Sequence, residues 1–203
     1  MAEELKSDEE RAEELKAWWR ENGVSVAAGV AIAVAGVVGW QQWQQYQIRQ
    51  AETASALFQQ AQATETDKVA ALQKVSEEYD STPYGSLAAL SAAAETSQSN
   101  PAQAIESLKK ALDGKDPNLA TIAKLRLARV YIAEGKLNDA ETLLDTNLAV
   151  AYTSLVEELK GDLYVAKKDL DKARAAYDKA ILSAGSNSVQ YLKMKRDNLG
   201  KGA

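Results

Sequence analysis

The feature that most constrains this chain is an uncharged stretch that extends from Asn22 to Ile48. Its apolar part, Gly23–Trp40, reads GVSVAAGVAIAVAGVVGW. A helix rises 1.5 Å per residue and the hydrocarbon layer of a membrane is about 30 Å thick, so about 20 residues are needed to cross it. With Gln41–Trp43 as its outer edge the stretch is long enough. The sequence therefore predicts a transmembrane helix over residues 22–43.

The tryptophans of the chain support a membrane span. Trp18 and Trp19 precede the apolar stretch, Trp40 and Trp43 follow it, and the chain has no other tryptophan. Indole rings are amphipathic and prefer the headgroup region of a membrane. The alternative is a buried core helix, but a soluble protein has no reason to place tryptophan pairs at both ends of an apolar helix.

A cleaved signal peptide is the second alternative to an anchor. Ala31-Ile32-Ala33 and Ala33-Val34-Ala35 both match the small-residue pattern of a cleavage site. However, the leading residues 1–21 are net acidic, whereas a signal peptide begins with a short basic segment. The apolar stretch also continues past both sites to Trp40. These features favour an uncleaved anchor.

The basic residues on the two sides of the span predict its orientation. Arg49 is the only basic residue in the first 20 positions after the span, whereas the N-terminal flank holds Lys6, Arg11, Lys16 and Arg20. Because Lys and Arg are retained on the cytoplasmic side, we expect residues 1–21 to be a cytoplasmic tail and the chain from residue 50 onward to lie across the membrane. The acidity of the tail disfavours anionic lipid, so a cytoplasmic protein partner is as good an expectation as lipid.

Two smaller signals lie in and before the span. Asn22-Gly23 resembles a helix C-cap, so we expect the helix of the tail to end there. Within the span, small residues recur at every fourth position, which predicts a surface for packing against another membrane helix. These residues are Ala27, Ala31, Ala35 and Gly39. An alanine-rich span also contains such spacings by chance, and both interpretations stay open.

A repeat with a period of about 33 residues occupies the second half of the chain. The segments Ile122–Leu144 and Leu155–Tyr177 match at this offset, with small residues at corresponding positions. The pairs are Ala128 with Gly161, Tyr131 with Tyr164, Ala133 with Ala166, Leu137 with Leu170, Ala140 with Ala173 and Leu144 with Tyr177. The pattern resembles the tetratricopeptide repeat. It predicts an all-α protein, with an N-terminal transmembrane helix followed by a tetratricopeptide-like helical-repeat solenoid. Unrelated amphipathic hairpins are the alternative.

Weaker signals complete the domain organisation. Residues 85–118 form a poorer copy of the repeat, and residues 50–63 and 67–79 predict another helix pair. Residues 188–200 predict a capping helix. We therefore divide the chain into residues 1–21 as the tail, 22–43 as the transmembrane helix, 44–83 as membrane-proximal helices, and 84–203 as the repeat domain with its C-terminal cap.

Helical-repeat solenoids bind partners on a concave face lined by the first helix of each repeat. The repeat alignment places eight residues on that face, some apolar and some charged. They are Ile122, Leu125, Arg129, Ile132, Leu155, Glu158, Asp162 and Val165. Such a groove suits a helix or an extended peptide. The alternative is that some of these positions are ordinary solvated surface.

Composition excludes most enzyme chemistry. The chain has no His and no Cys, which removes disulfides, zinc and iron–sulfur sites, a Cys nucleophile and an imidazole base. A net charge of −5 argues against nucleic-acid binding. The sequence has no P-loop and no GxGxxG motif. We therefore predict a protein that is not an enzyme, with no catalytic, cofactor-binding or metal-binding residues. A carboxylate-only enzyme is the remaining alternative.

The order of these features resembles a known family. An acidic tail precedes Glu21-Asn22-Gly23 and a span ending in Gly39-Trp40, and Tyr84-Gly85-Ser86-Leu87-Ala88 and Leu125-Arg126-Leu127-Ala128-Arg129 follow in the helical part. The chain is similar, over essentially its whole length, to the ancillary SecYEG translocon subunits of Gram-negative bacteria. The resemblance implies a single-span inner-membrane protein with a periplasmic tetratricopeptide-like domain and no cofactor.

The resemblance also implies partners. They are the SecYEG translocon, a membrane-anchored periplasmic chaperone of the prolyl isomerase class, and secreted client polypeptides that are passed to periplasmic chaperones. The alternative function is a helical-repeat scaffold for other envelope assembly or division machinery.

Overall fold

The computed structural model describes residues 7–146 and 149–200, and in these residues it contains nine α-helices, one short 3-10 turn and no strand. The prediction of an all-α protein is confirmed. The helices are α1 (Asp8–Ala63), α2 (Lys68–Glu78), α3 (Pro83–Thr96), α4 (Pro101–Leu112), α5 (Pro117–Ala133), α6 (Leu137–Leu144), α7 (Thr153–Ala166), α8 (Leu170–Ser183) and α9 (Ser186–Asp197). The first six residues of the predicted tail and the last three of the predicted repeat domain lie outside the described residues.

The first helix is continuous, and the predicted break at Asn22-Gly23 is wrong. Asn22 Nδ2 donates a hydrogen bond of 3.0 Å to the carbonyl of Trp18, one turn earlier in the same helix. The side chain predicted to cap a helix end instead bonds inside the helix. Gly23 lies beside the indole of Trp19, where an added Cβ would come within 3.3 Å of the ring nitrogen. The absence of a Cβ at Gly23 thus leaves room for the Trp19 ring.

The chain divides into two compact units, Met1–Arg49 and Gln50–Ala203. In the first unit, α1 contains an 18-residue window with a mean hydropathy of 2.0, and none of this window is buried among the described residues. This part of α1 therefore has the length and composition to cross a membrane. All four tryptophans are exposed, in two pairs whose ring centroids are 6.3 Å and 5.2 Å apart.

The second unit is built from helical hairpins that pack in sequence. The helices pair as α3 with α4, α5 with α6 and α7 with α8, and the first helices of neighbouring hairpins also contact one another. The three prolines of the chain all stand at the first position of a helix, where a missing N–H costs nothing. The side chains of Thr82, Asn100 and Asp116 cap these same helices.

The repeat predicted from the sequence is visible in the backbone. Helices α5 and α7 end at Ala133 and Ala166, which are corresponding positions of the two repeats, and α6 and α8 begin at the corresponding Leu137 and Leu170. The turn of the first hairpin has Gly135 at φ 70°, and the turn of the second has Lys168 at φ 62°. Both turns close with a Schellman-type hydrogen bond, from Lys136 N–H to Tyr131 C=O at 2.8 Å and from Asp169 N–H to Tyr164 C=O at 2.9 Å.

Alanine and leucine form the core of the second unit. One cluster contains the alanines at which the hairpin helices cross, including Ala104, Ala128 and Ala140, together with Leu108, Leu127 and Leu159. A second cluster joins Leu57, Phe58 and Ala61, at the C-terminal end of α1, to Leu72 and Val75 of α2 and Ala88 and Ala92 of α3. Small side chains at the crossings let the helices approach closely, which explains why the repeat signal is carried by alanine.

Candidate partner-binding surface

The first half of the predicted groove lies on α5. Arg129 is exposed, and it forms no ion pair with any of the described residues. Ile122 and Ile132 are half-buried against the core. Leu125 is only 7 % exposed and belongs to the core cluster, so its side chain is not available to a partner. We therefore leave Leu125 out of the surface proposed below, because this position of the repeat faces the neighbouring helices instead of the solvent.

The second half of the predicted groove lies on α7. Leu155 and Val165 are 44 % and 38 % exposed, which is high for aliphatic side chains on a packed helix. Glu158 and Asp162 lie on the same helix between them, and their side chains are only 13 % and 26 % exposed. The two carboxylates are covered by α9, which the sequence predicted only as a cap.

Lys195 of α9 binds both carboxylates. Its ammonium nitrogen lies 2.9 Å from Glu158 Oε1 and 2.6 Å from Asp162 Oδ1. The rings of Tyr177 and Tyr191 flank it, with their centroids 5.5 Å and 5.3 Å away. The hydroxyl of Tyr177 donates a 2.6 Å hydrogen bond to Asp162, which fixes this carboxylate in place. The five side chains form one connected cluster on α7, α8 and α9.

Two side chains of the cluster, Lys195 and Tyr177, have raised pKa values. Burial alone would lower the pKa of Lys195, but its hydrogen bonds to Asp162 and Glu158 outweigh that effect and raise it above the ordinary value. Burial raises the pKa of the Tyr177 hydroxyl well above its usual range, and the hydrogen bond to Asp162 raises it further. At neutral pH the cluster therefore contains a charged lysine and a neutral tyrosine.

Lys195 is the functional candidate that the sequence did not reveal. It lies in α9, outside the repeat, so the repeat alignment assigns it no position. Its one local signal is the spacing of four residues from Tyr191, which places both on one face of a helix. The spacing does not show that this face meets Glu158 and Asp162.

The small residues of the predicted membrane-packing surface lie on an open face of α1. Ala27, Ala31, Ala35 and Gly39 are all exposed within the first unit. A Cβ added at Gly39 would meet no atom within 4 Å. This stripe is therefore accessible to lipid or to another membrane helix.

A polar cavity of about 490 Å³ lies between α2, α3 and α4. Lys110 and Glu77 line it and pair with each other at 2.6 Å. Gly85 and Ser86, from the Tyr84–Ala88 motif, also line it, and both are buried against neighbouring loops. Within the described ranges, no group of three or more His, Cys, Asp or Glu residues is placed to hold a metal ion.

The fold and this surface define a tetratricopeptide-like helical-repeat protein with an apolar N-terminal helix. Residues 16–201 match the family model described as a tetratricopeptide repeat-like domain. The chain is 30 % identical over 199 residues to a protein of Escherichia coli (strain K12) named "Ancillary SecYEG translocon subunit", covering 95 % of this chain and 97 % of that one. Proteins with the same name from Haemophilus influenzae and Aggregatibacter actinomycetemcomitans are 31 % and 30 % identical, with the same coverage. The chain belongs to this family of ancillary SecYEG translocon subunits.

No solved structure matches the chain. The matches to the relatives extend over nearly the whole of this chain, so they include both the apolar helix and the repeats. The apolar window of α1 and the name of the relatives both fit a location in the inner membrane.

Proposed function

We propose that this protein is a non-enzymatic, membrane-anchored interaction protein of the Sec translocon that helps to pass secreted polypeptides to periplasmic chaperones. In this proposal residues 1–21 are a cytoplasmic tail, residues 22–43 cross the inner membrane, and residues 44–83 are membrane-proximal helices. Residues 84–203 form the periplasmic repeat domain. The partners are SecYEG, a membrane-anchored periplasmic chaperone of the prolyl isomerase class, the secreted polypeptides, and a cytoplasmic protein that meets the tail.

The observation that carries the proposal is that the first helices of two successive repeats, α5 and α7, both leave predicted groove residues exposed. Arg129 on α5 and Leu155 and Val165 on α7 are exposed, and the half-buried Ile132 follows Arg129 on α5. Apolar contacts supply most of the affinity at an interface, whereas charges set the register and the approach. A surface with both is suited to a polypeptide partner, and the relatives are named as translocon subunits.

The experiment is co-purification of full-length variants from detergent-solubilised membranes. Arg129→Glu and Val165→Asp should reduce recovery of the chaperone by about tenfold, a size typical of losing one good interface contact. The matched control is Lys179→Glu, which reverses an exposed charge on a second helix, α8. It should leave recovery unchanged.

A second pair of variants tests the membrane-packing stripe. Ala31→Leu with Ala35→Leu adds bulk to the small-residue face of α1 and should reduce recovery of SecYEG while leaving the chaperone bound. The matched control is Val30→Leu with Val34→Leu, which adds bulk on a neighbouring face. The variants Arg129→Glu and Val165→Asp change the repeat surface, and Ala31→Leu with Ala35→Leu changes the small-residue face of α1. If all of them recover every partner at the parent level, these two surfaces are not the binding sites. If the parent recovers envelope assembly or division proteins and no translocon subunit, the scaffold function replaces the proposed one.

A further inference from the structure

The ammonium group of Lys195 occupies a site that the rest of the chain provides. Glu158 and Asp162 stand one turn apart on α7, and Tyr177 from α8 bonds to Asp162 and places its ring beside the ammonium group. Two carboxylates beside an aromatic face form a good site for an ammonium ion, because the charges and the ring quadrupole attract it together. Without a cation these two neighbouring carboxylates would repel each other, so the site favours an occupied state.

The helix that fills this site is held by few apolar contacts. Leu192 is the one buried side chain of α9, whereas α7 and α8 each bury four residues. Val189 of α9 and the following Leu199 are only partly buried. Polar contacts add to these: Arg196 pairs with Asp178 at 3.0 Å, and Arg174 donates a hydrogen bond to the Gly200 carbonyl. Ion pairs weaken with salt and exchange readily with competing ions. The attachment of α9 therefore depends in part on charge.

The connection to α8 permits exchange. Ala184 and Gly185 have extended backbone conformations between two helices, so α9 is joined to α8 by a short non-helical link. Tyr191 and Met194 on α9 are half exposed and add little burial. A helix tethered by a short link is present at a high effective concentration, of the order of millimolar, and competes strongly with any partner for the same site.

We propose that Glu158, Asp162 and Tyr177 form a docking site for an amphipathic helix of a partner protein that carries a lysine three residues after an aliphatic residue, and that α9 occupies this site in the free protein. The inference rests on the proposed binding role of the repeat surface and names the chemistry of its partner. The negative charge of the site and the helix that fills it both indicate this occupant. Leu192 and Lys195 are three residues apart on one helix face, and they show the pattern that the site accepts.

The test uses the full-length protein in detergent and a synthetic, fluorescently labelled peptide of residues 186–199. Lys195→Met should weaken the hold of the protein's own α9, so this variant should bind the peptide about tenfold more tightly than the parent does, as measured by fluorescence anisotropy. A peptide carrying Lys195→Met should bind the same variant about tenfold more weakly than the unmodified peptide. The matched protein control is Lys193→Met, an exposed lysine on the same helix, which should bind the peptide as the parent does.

A second measurement covers the case in which Lys195→Met perturbs the fold. In the parent protein, saturating peptide should accelerate hydrogen exchange in α9 while leaving α7 protected, and Glu158→Gln with Asp162→Asn should abolish that effect. Equal binding of the two peptides, or an α9 exchange rate that does not respond to peptide, would overturn the inference. Since neither measurement uses the translocon, this result is independent of the co-purification that tests the proposed function.

Discussion

The ring of Tyr177 packs directly against Gly161, so that a Cβ built on Gly161 would lie only 2.4 Å from Cε1 of the ring. In the preceding repeat the corresponding residues are Ala128 and Leu144, which are both buried in the core. The second repeat thus has a smaller residue on α7 and a larger one on α8. The two positions are matched in volume across the crossing of the two helices.

This match predicts strong coupling between the two residues. Gly161→Ala should lower the free energy of unfolding by about 1–3 kcal/mol, because the added methyl group cannot fit beside the Tyr177 ring. In a Tyr177→Leu background the same substitution produces the alanine–leucine pair of the first repeat, so it should cost well under about 1 kcal/mol. Urea denaturation followed by circular dichroism gives the four values. Equal costs in both backgrounds would contradict the volume match.

The turn at Lys168 predicts a stabilising substitution. Lys168 has φ 62°, a left-handed conformation that costs a non-glycine residue about 1–2 kcal/mol. Lys168→Gly removes this cost but increases the conformational entropy of the unfolded chain. We therefore expect the free energy of unfolding to rise by about 0.5–1 kcal/mol. The matched control is Gly135→Lys, at the corresponding position of the first repeat, which should lose a similar amount. A lower melting temperature for Lys168→Gly would contradict this prediction. It would show that the lysine side chain stabilises the fold by more than its left-handed backbone costs.

The sequence predicted these hairpins well because their signals are local. Proline at the first helical position, a capping side chain and alanine at the crossing each act within a few residues. The turn at Lys168 has no local signal, since lysine does not favour a turn, and only its alignment with Gly135 in the repeat indicates it. Leu125 was assigned to the groove by its position in the repeat, but that position faces the core.

Two other features were not predictable because they depend on competition or on tertiary contact. Asn22-Gly23 has the composition of a helix end, but the Asn22 side chain has a partner one turn earlier, and the helix continues. Lys195 meets Glu158 across 37 positions of the chain, from a helix with no place in the repeat. No local pattern encodes such a contact.

The Tyr84–Ala88 motif predicts a severe effect at Gly85. A Cβ on Gly85 would lie 2.3 Å from the Tyr79 carbonyl oxygen, and this neighbour is backbone, which cannot rotate away. Gly85→Ala should therefore cost at least as much as Gly161→Ala, about 3 kcal/mol or more. The control is Ala94→Gly, which removes a Cβ methyl group at an exposed position of α3. It should lower the free energy of unfolding by about 1 kcal/mol. Thermal melts of the full-length protein give the comparison.

The raised pKa values of Lys195 and Tyr177 predict how stability changes at high pH. In the unfolded chain these groups release their protons near their ordinary values of 10.5 and 10.0, whereas the folded protein retains them to higher pH. Their contribution to the free energy of unfolding is thus fully present below about pH 10 and is lost as the pH rises through the folded values. Tyr177→Phe should make this decline shallower. Tyr152→Phe is the control for losing one phenol, and urea titrations between about pH 8 and 11 would show the difference. Identical declines for the parent and Tyr177→Phe would contradict this prediction.

The basic residues on the two sides of the apolar stretch predict the orientation of the chain in the membrane. Four basic residues precede the span and Arg49 alone follows it within 20 positions, so the N-terminal side should be retained in the cytoplasm. Protease added to spheroplasts should digest residues 50–203 and leave a tag on residues 1–20 protected. The matched variant reverses the difference in basic residues between the two sides of the span. It removes two before the span, by Lys16→Gln and Arg20→Gln, and adds two after it, by Gln44→Lys and Gln47→Lys. This variant should expose the tag in part of the population. Protection of the C-terminal domain in the parent would reverse the proposed topology. A purified protein that begins near Gly36 would instead identify a cleaved signal peptide, and the Trp40–Trp43 pair would then follow the new N-terminus instead of marking the outer edge of a span.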